Sequence, residues 1–309
     1  MSAEPRADER TATRLAIVGF GLIGASLAAS LRRAEHPVDI TAVVRTEASA
    51  DEALATGVVE RAVVGAAAGA AEADVVLLAV PMLAMRETLE AIAPTLGERT
   101  IVTDAGSVKA PFVVDARAVL GSLGRVVPGH PIAGRERSGM AAADATLYAG
   151  RRVILTPLEE TEPAAVETVA ALWRAAGATV ECLDPLHHDR VLAATSHLPH
   201  VAAFALVDAL RAREESGAIF RYAAGGFRDF TRIASSDAIM WRDICLSNAE
   251  AIVEALDELD ASLATLRAAI GAGDGATIER VFRRAKAARD AHVDGGVASA
   301  GVARPKDGR

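Results

Sequence analysis

The sequence predicts an α/β protein in which a mostly parallel sheet domain is followed by an all-α domain. From residue 14 to about 184, short β-branched runs alternate with helical stretches, a pattern typical of a parallel sheet with helices on both faces. After Pro185 no convincing strand pattern remains, and apolar residues recur at helical spacing. A chain of 309 residues is long enough to form both domains.

The domain boundaries follow from these changes of pattern. We expect a disordered leader at 1–12, a sheet domain at 13–184, a helical domain at 185–292 and a disordered tail at 293–309. Strands are expected near 15–19, 38–44, 62–64, 74–80, 100–104, 125–128, 152–156 and 179–183. Helices in the sheet domain are expected near 22–33, 48–56, 82–93, 108–121 and 163–176.

The helical domain carries an apolar seam near its end. A long helix with a kink at Pro199 is expected over 186–212 and another helix over about 237–247. In the helix that follows, apolar residues recur at spacings of three and four, namely Ala249, Ile252, Leu256, Leu259, Leu263, Leu266 and Ile270. Such a seam needs a partner helix, within the domain or in a second subunit. We predict a homodimer formed through this domain.

Composition limits the class of partner. The formal net charge of −8 argues against nucleic acid and anionic membranes, although a local arginine cluster could still bind an anionic small molecule. No apolar signal segment is visible, and the apolar run around 75–85 is too short to span a bilayer. The two cysteines, Cys182 and Cys245, lack metal-ligand spacing and read as buried free thiols. We predict a cytoplasmic protein without a metal site.

The first strand runs into the glycine motif GFGLIG at 19–24, and an apolar helix follows. This arrangement predicts a dinucleotide-binding, Rossmann-like βαβ unit. Gly19 would permit the tight turn, Gly21 the close approach of a pyrophosphate, and Gly24 the packing of helix on strand. The candidate cofactor contacts are Gly19, Phe20, Gly21, Leu22, Ile23, Gly24, Arg45, Thr46 and Val80.

The end of the second predicted strand bears on the choice between NAD and NADP. An NAD site usually places an acid there to bind the ribose 2′-hydroxyl, but here no acid occurs before Glu47. Arg45 and Thr46 could instead bind a 2′-phosphate. The alternative is that Arg45 is only a solvated charge, so NADP is favoured over NAD by this pattern without excluding NAD.

Two clusters that could carry chemistry follow predicted strands. In TDAGSVK, at 103–109, Ser107 and Lys109 would face the crevice at the carboxyl ends of the strands, although Ser107 would also suit a helix N-cap. In GHPIAGRERSG, at 129–139, His130 would point to the same crevice. Beside a nicotinamide, His130 could accept a hydroxyl proton during hydride transfer.

A third cluster lies in the helical domain, in SHLPH at 196–200 and GGFRDFTRIA at 225–234. Arg232 stands among apolar residues and therefore needs an anionic partner, either a protein carboxylate such as Asp229 or Asp237 or a substrate carboxylate.

These motifs in this order, followed by DAIMW at 237–241, resemble the prephenate/arogenate dehydrogenases of tyrosine biosynthesis over about residues 14–290. The resemblance implies NAD(P)-dependent oxidative decarboxylation of prephenate or arogenate, or of both. It also implies that His130 takes the proton of the ring hydroxyl and that Ser107 orients His130. The substrate-binding residues that it implies are Arg232, His200, Glu136, Asp229 and Trp241.

Two rival functions share parts of the pattern. β-Hydroxyacid dehydrogenases and imine reductases have the same layout of domains, but they would not need GHPIAG. A cofactor-sensing protein without catalysis would have no use for His130, Ser107 and Arg232 together.

Overall fold

The computed structural model describes residues 12–135 and 137–299, with side chains described as far as residue 292. The chain divides between Ile252 and Val253 into two compact units. The first unit contains both sheets and the helices around them. The second unit is helical.

A six-stranded parallel sheet forms the centre of the first unit, with strand order β3-β2-β1-β4-β5-β6. Its strands are β1 (Thr13–Val18), β2 (Val38–Val44), β3 (Arg61–Val64), β4 (Val75–Leu78), β5 (Ile101–Asp104) and β6 (Val126–Val127). Strand β1 lies between β2 and β4, so that Ile17 pairs with Ala42 on one side and Leu77 on the other. All six strands were predicted, and the parallel arrangement is confirmed.

A second sheet of three strands follows, with order β7-β8-β9. Its strands are β7 (Gly129–Pro131), β8 (Arg152–Leu155) and β9 (Thr179–Cys182), with β7 antiparallel to β8. The sequence predicts one strand at 125–128 with His130 after it, and this is wrong in detail. Pro128, which has no N–H for a ladder, separates β6 from β7, so His130 lies inside a strand opposite Ile154.

Helices cover both faces of the large sheet, because successive residues of β1 point to opposite sides. Leu15 and Ile17 belong to one buried apolar cluster, whereas Ala16 and Val18 belong to the other. The helices of the sheet region are α1 (Leu22–Arg33), α2 (Glu47–Ala55), α3 (Ala66–Ala70), α4 (Met85–Ile92), α5 (Ala110–Leu120) and α6 (Pro163–Ala175). Helix α3 was not predicted.

The long helix expected over 186–212 consists of three segments. Helix α7 (Pro185–Leu192) leads into a π-helical turn (Ala193–His197), and α8 (Leu198–Arg211) continues from it. Pro199 lies in the first turn of α8, where its missing N–H costs little, and the irregular backbone lies just before it. By length and mean hydropathy of 1.3 the segment Pro185–Arg211 could also span a membrane, although 22% of that stretch is buried in the protein.

Three shorter helices complete the first unit and lead into the second. They are α9 (Ser216–Arg221), α10 (Gly225–Thr231) and α11 (Ala238–Ser247), with a 3₁₀ turn at Arg232–Ser235. Helix α12 (Ala249–Gly271) contains the predicted seam and crosses the division between the units. Helix α13 (Gly275–Ser299) extends into the predicted tail, while residues 1–11 of the predicted leader and 300–309 lie outside the described residues.

Exposed apolar side chains mark the second unit. Leu263 on α12 is 52% exposed, and Phe282 on α13 is 56% exposed.

The prediction that both cysteines are buried is wrong for Cys182, which is exposed because it ends the edge strand β9. Cys245 is half-buried, and burial raises the pKa of its thiol.

Candidate active site

The glycine turn between β1 and α1 has the geometry that a pyrophosphate requires. Gly19 has φ +92°, and a Cβ there would lie 2.4 Å from the carbonyl oxygen of Ala79. A Cβ on Gly24 would lie 2.6 Å from Ile17 Cγ2, so this glycine permits the packing of helix on strand. A Cβ on Gly21 would meet no protein atom within 4 Å. The open space at Gly21, at the N-terminus of a 12-residue helix, therefore fits a dinucleotide phosphate.

The other residues of the turn contribute backbone rather than side chains. Phe20 is 5% exposed and belongs to the apolar core. Leu22 and Ile23 pack against the same core, and the Ile23 carbonyl accepts a hydrogen bond from the Tyr148 hydroxyl at 2.6 Å. Val80 lies beside the turn, with its Cγ1 3.0 Å from the Cβ position of Gly19.

The two residues predicted to discriminate between NAD and NADP follow the end of β2. Arg45 follows β2 directly and is exposed. Thr46 is the N-cap of α2, and its hydroxyl accepts a hydrogen bond from the Ser49 amide at 3.2 Å. The Thr46 hydroxyl is therefore already engaged in a cap, which leaves Arg45 as the exposed cationic group directly after β2.

A fully buried ion pair fixes the strand that carries the predicted base. Lys109 Nζ binds Asp104 and donates to the Gly129 carbonyl at 2.6 Å. Asp104 accepts from the amides of Gly106 at 2.8 Å and Gly129 at 3.0 Å. Burial raises the pKa of Asp104 and lowers that of Lys109, and each partner opposes the other's shift. The prediction that Lys109 faces the crevice is wrong, because its charge stays inside to pair with Asp104.

Helix α5 receives its N-terminal cap from another helix. Asp189 of α7 accepts hydrogen bonds from the backbone amides of Lys109 and Ala110, both at 2.8 Å. The helix begins at Ala110, so Ser107 lies in the loop before it and is not the N-cap. An aspartate at this end of the helix also faces the positive end of the helix dipole.

The same aspartate begins a hydrogen-bonded chain that ends at His130. Asp189 Oδ1 lies 2.7 Å from His188 Nδ1, and His188 Nε2 lies 2.9 Å from His130 Nδ1. The two rings meet edge to face, with centroids 5.1 Å apart. The sequence analysis missed His188 and Asp189, although a polar HHD triplet in an apolar helix was a visible signal.

His130 has the environment of a neutral base. Burial lowers the pKa of its imidazole well below the usual value, and nearby His188, Lys109 and His197 lower it further. His130 as a whole residue is half-buried. Ser107 was expected to orient His130, but within the described residues His130 Nδ1 bonds His188 and no bond to Ser107 is found.

A second polar group surrounds Trp241 on α11. His200 stacks on the indole, with ring centroids 3.7 Å apart, and its Nδ1 lies 2.8 Å from the Ser196 carbonyl oxygen. Burial lowers the pKa of His200. The indole Nε1 of Trp241 is buried and has no hydrogen-bond partner among the described residues, so it can donate to a ligand.

His197 has a structural environment. It is 1% exposed, lies edge-on to Trp241, and its Nδ1 is 3.1 Å from the side-chain nitrogen of Asn248. That amide also donates to the Asp189 carbonyl at 2.9 Å. Burial lowers the pKa of His197 to about 4.

The predicted substrate-binding charges lie on exposed segments. Arg232 begins a 3₁₀ turn that packs against α8, the helix of His200, and its side chain is exposed rather than enclosed by its apolar neighbours. Asp229 on α10 is also exposed, and Asp237 caps α11 through the Met240 amide at 2.8 Å. Glu136 lies outside the described residues.

Comparison with known proteins agrees with this arrangement. The family model described as "Prephenate dehydrogenase, nucleotide-binding domain" matches residues 27–182, and "Prephenate dehydrogenase, dimerization domain" matches residues 184–284. The chain is 38% identical to a cyclohexadienyl dehydrogenase of Zymomonas mobilis over 89% of this chain and 94% of that protein. It is 36% identical to a prephenate dehydrogenase of Bacillus subtilis over 89% of this chain and 74% of that protein.

A solved structure shares the same fold. The prephenate dehydrogenase of Aquifex aeolicus, in complex with hydroxyphenyl propionate and NAD⁺, superimposes with a TM-score of 0.83 at 37% identity, covering 91% of this chain and 99% of that one. The two family models together cover most of the chain, and the glycine turn has the open space that a dinucleotide phosphate requires. The chain therefore belongs to the prephenate dehydrogenase family and is an NAD(P)-dependent oxidoreductase.

Proposed function

We propose that the protein is a prephenate dehydrogenase of tyrosine biosynthesis, which oxidatively decarboxylates prephenate to 4-hydroxyphenylpyruvate. One observation carries the proposal: His130, in β7 of the three-stranded sheet, has a pKa lowered by burial and is hydrogen-bonded to His188, and β7 packs against β5 of the dinucleotide-binding sheet. A neutral imidazole at that place is a suitable base for a hydroxyl proton. Relatives with 36–38% identity carry prephenate or cyclohexadienyl dehydrogenase names, which supports this substrate class.

The reaction requires one base and accurate positioning. When bound, the nicotinamide cofactor supplies the hydride acceptor. His130 would take the proton from the ring hydroxyl as the carbinol carbon loses its hydride. Loss of carbon dioxide from the resulting dienone then leaves an aromatic phenolate, which takes that proton back from His130. Because aromatisation supplies a large driving force, the side chains need mainly to orient the substrate and to hold that proton.

Cationic and polar groups near α8 would bind the anionic parts of the substrate. We assign Arg232 to a substrate carboxylate and His200 to the same pocket, with Trp241 forming its wall. The buried indole N–H, which has no partner among the described residues, would donate to the same ligand. Glu136 and Asp229 are assigned to the pocket entrance.

The glycine turn would hold the cofactor pyrophosphate, and Arg45 would influence its adenosine end. An exposed guanidinium directly after β2, with no acid before Glu47, favours NADP. NAD remains the alternative, since the Aquifex aeolicus enzyme was solved with NAD⁺. Arg45→Asp is expected to lower kcat/KM with NADP about tenfold or more and to spare NAD, because a carboxylate repels the 2′-phosphate.

The substrate itself has an alternative. Prephenate and arogenate differ by a keto or an amino group on the side chain, and an enzyme that accepts both would serve either route. An acidic contact such as Glu136 would favour the ammonium of arogenate. The arogenate dehydrogenase of Synechocystis shares this fold, with a TM-score of 0.77 at 26% identity, which supports arogenate as the alternative substrate.

The oligomeric state and location complete the proposal. A homodimer formed through the helical domain would cover the apolar residues that α12 and α13 expose, among them Leu263, Ile270 and Phe282. The match of 184–284 to a dimerization domain supports it. A partner subunit would also cover the apolar surface of Pro185–Arg211, which explains that segment without a membrane. We place the enzyme in the cytoplasm.

A steady-state assay of cofactor reduction tests the proposal. Prephenate and arogenate are each combined with NAD and NADP, and carbon dioxide release is followed in parallel. A preference of about tenfold in kcat/KM, or roughly 1.4 kcal/mol, identifies the substrate and the cofactor. Reduction without carbon dioxide release would favour a β-hydroxyacid dehydrogenase, and binding of cofactor without reduction in all four mixtures would favour a sensor.

A further inference from the structure

We propose that His188 and Asp189 form a positioning relay that holds His130 as the Nδ1–H tautomer, so that its Nε2 lone pair faces the substrate. The proposal rests on the proposed function, in which His130 takes a hydroxyl proton. Neither His188 nor Asp189 would touch the substrate. They would act only through His130.

The backbone amides at the N-terminus of α5 determine which atoms of the relay donate and which accept. The backbone amides of Lys109 and Ala110 can only donate, so both oxygens of Asp189 act as acceptors. His188 Nδ1, 2.7 Å from Asp189 Oδ1, must therefore carry a proton and donate it. Asp189 is itself fixed, because it connects α7 to the first turn of α5.

The donor and acceptor nitrogens of the His188 and His130 rings then follow in turn. A neutral imidazole with a proton on Nδ1 has its lone pair on Nε2, so His188 Nε2 accepts. Its partner at 2.9 Å, His130 Nδ1, is then the donor, and the remaining lone pair of His130 is on Nε2. Among the described residues His130 Nε2 has no hydrogen-bond partner, and His130 as a whole residue is half-buried.

A protonated His188 would give His130 the opposite tautomer. If His188 were an imidazolium, its Nε2 would donate to His130 Nδ1 and leave a proton on His130 Nε2, where it could not act as a base. The neutral arrangement needs only one proton on each ring, since Asp189 Oδ1 accepts from His188 Nδ1 and His130 Nδ1 then donates to His188 Nε2. When His130 gains the substrate proton, its Nδ1–H bond to His188 strengthens, and the carboxylate behind it stabilises the new charge.

The packing around the relay keeps it rigid. Asn248 donates to the Asp189 carbonyl at 2.9 Å and contacts His197 at 3.1 Å. On the other side, the Lys109–Asp104 pair holds both backbone groups of Gly129, the residue before His130. Both ends of the His130–His188 bond are thus fixed by buried polar contacts.

The first test measures the tautomer directly, by ¹⁵N NMR of histidine-labelled protein at about pH 8. The His130 signals are assigned by their loss in His130→Gln. We expect Nδ1 to be protonated and Nε2 to have the shift of a bare lone pair. A proton on His130 Nε2 would overturn the proposal. Since no substrate is present, this result is independent of whether prephenate is turned over.

The second test uses matched variants of one helix. His188→Leu removes both hydrogen bonds, whereas His188→Gln offers an amide N–H to Asp189 and an amide oxygen to His130. We expect the leucine variant to lose about 10²-fold or more in kcat with KM changed by less than about threefold, and the glutamine variant to recover to within about tenfold of wild type. His187→Gln, at the exposed neighbouring position, is the control.

Equal activity of the leucine variant and the control would contradict the relay. A leucine variant that does not fold leaves the NMR result to decide. Normal prephenate turnover together with the wrong tautomer would reject the relay alone. Absence of turnover together with the expected tautomer would reject the proposed function and keep the geometry.

Discussion

The carboxylate of Asp189 lies 2.8 Å from the backbone nitrogen of Lys109, so helix α7 supplies the N-terminal cap of helix α5. The same carboxylate bonds His188, whose ring bonds His130 on β7. One side chain of α7 therefore contacts the start of α5 and, through His188, connects to His130.

Substitutions in the glycine turn should affect cofactor affinity at one position and stability at another. Gly21→Ala adds a methyl group where no protein atom lies within 4 Å, so we expect unchanged stability. Its affinity for the cofactor should fall about tenfold, because the methyl group occupies phosphate space. Gly24→Ala, whose Cβ would lie 2.6 Å from Ile17 Cγ2, should instead lose about 1–3 kcal/mol of unfolding free energy. Cofactor titration and urea unfolding of both variants provide the comparison, and equal cofactor affinity of Gly21→Ala and wild type would contradict the binding site.

The rate should depend on pH through His130. Since burial lowers the pKa of His130 well below 6.5, the base stays deprotonated across neutral pH. The acid limb of kcat/KM should therefore lie below about pH 6.5, with a plateau above it. A pH–rate profile measures the limb, and an acid limb centred above pH 7 would contradict the buried environment of His130.

Stability should fall in acid because of His197. Its pKa in the folded protein is about 4, below the usual 6.5, so the unfolded chain binds more protons between these values. The contribution of His197 to the free energy of unfolding is therefore fully present above about pH 6.5, and it decreases as the pH falls towards 4. The loss from this residue should be about 2 kcal/mol at pH 5. Urea unfolding of wild type and His197→Gln at pH 7.5 and 5 tests it, and parallel losses in both proteins would assign the effect to other groups.

Breaking the buried ion pair should cost far more than breaking an exposed one. Lys109→Met leaves Asp104 charged and buried, and we expect a loss of about 3–5 kcal/mol of unfolding free energy. Lys286→Met, which removes an exposed pair with Asp290 on α13, is the matched control and should change stability by about 0–1 kcal/mol. Denaturant unfolding compares the two variants. Similarly small losses of unfolding free energy in both variants would mean that the Lys109–Asp104 pair does not stabilise β7.

The sequence predicted the sheet well because its central strands β1 and β4 are buried on both faces and form unbroken apolar runs at Leu15–Val18 and Val75–Leu78. The steric reasons expected for Gly19 and Gly24 are present in the structure, and the space expected beside Gly21 is open among the described residues. The break at Pro128 was missed, because a two-residue strand leaves no periodic pattern. The interior position of Lys109 was missed as well, because its partner Asp104 lies five residues away across a turn.

Contacts between distant segments account for the remaining errors. Asp189 reaches Lys109 across 80 residues, and no local pattern reports such a bond. The sequence offered Ser107 as the cap of α5, a place that Asp189 takes, and as the group that orients His130, whose Nδ1 bonds His188 in the structure. Arg232 has an apolar sequence context but an exposed side chain, since residues adjacent in a short 3₁₀ turn face different directions.

The activity of His130→Asn tests the central claim most directly. Asparagine can hydrogen-bond to the substrate but cannot take its proton, so kcat should fall by about 10²–10⁴-fold. The dissociation constant for prephenate should stay within about threefold of wild type. His187→Asn, on the exposed face of α7, controls for loss of a histidine. Turnover by His130→Asn close to that of the control would contradict the assignment of His130 as the base.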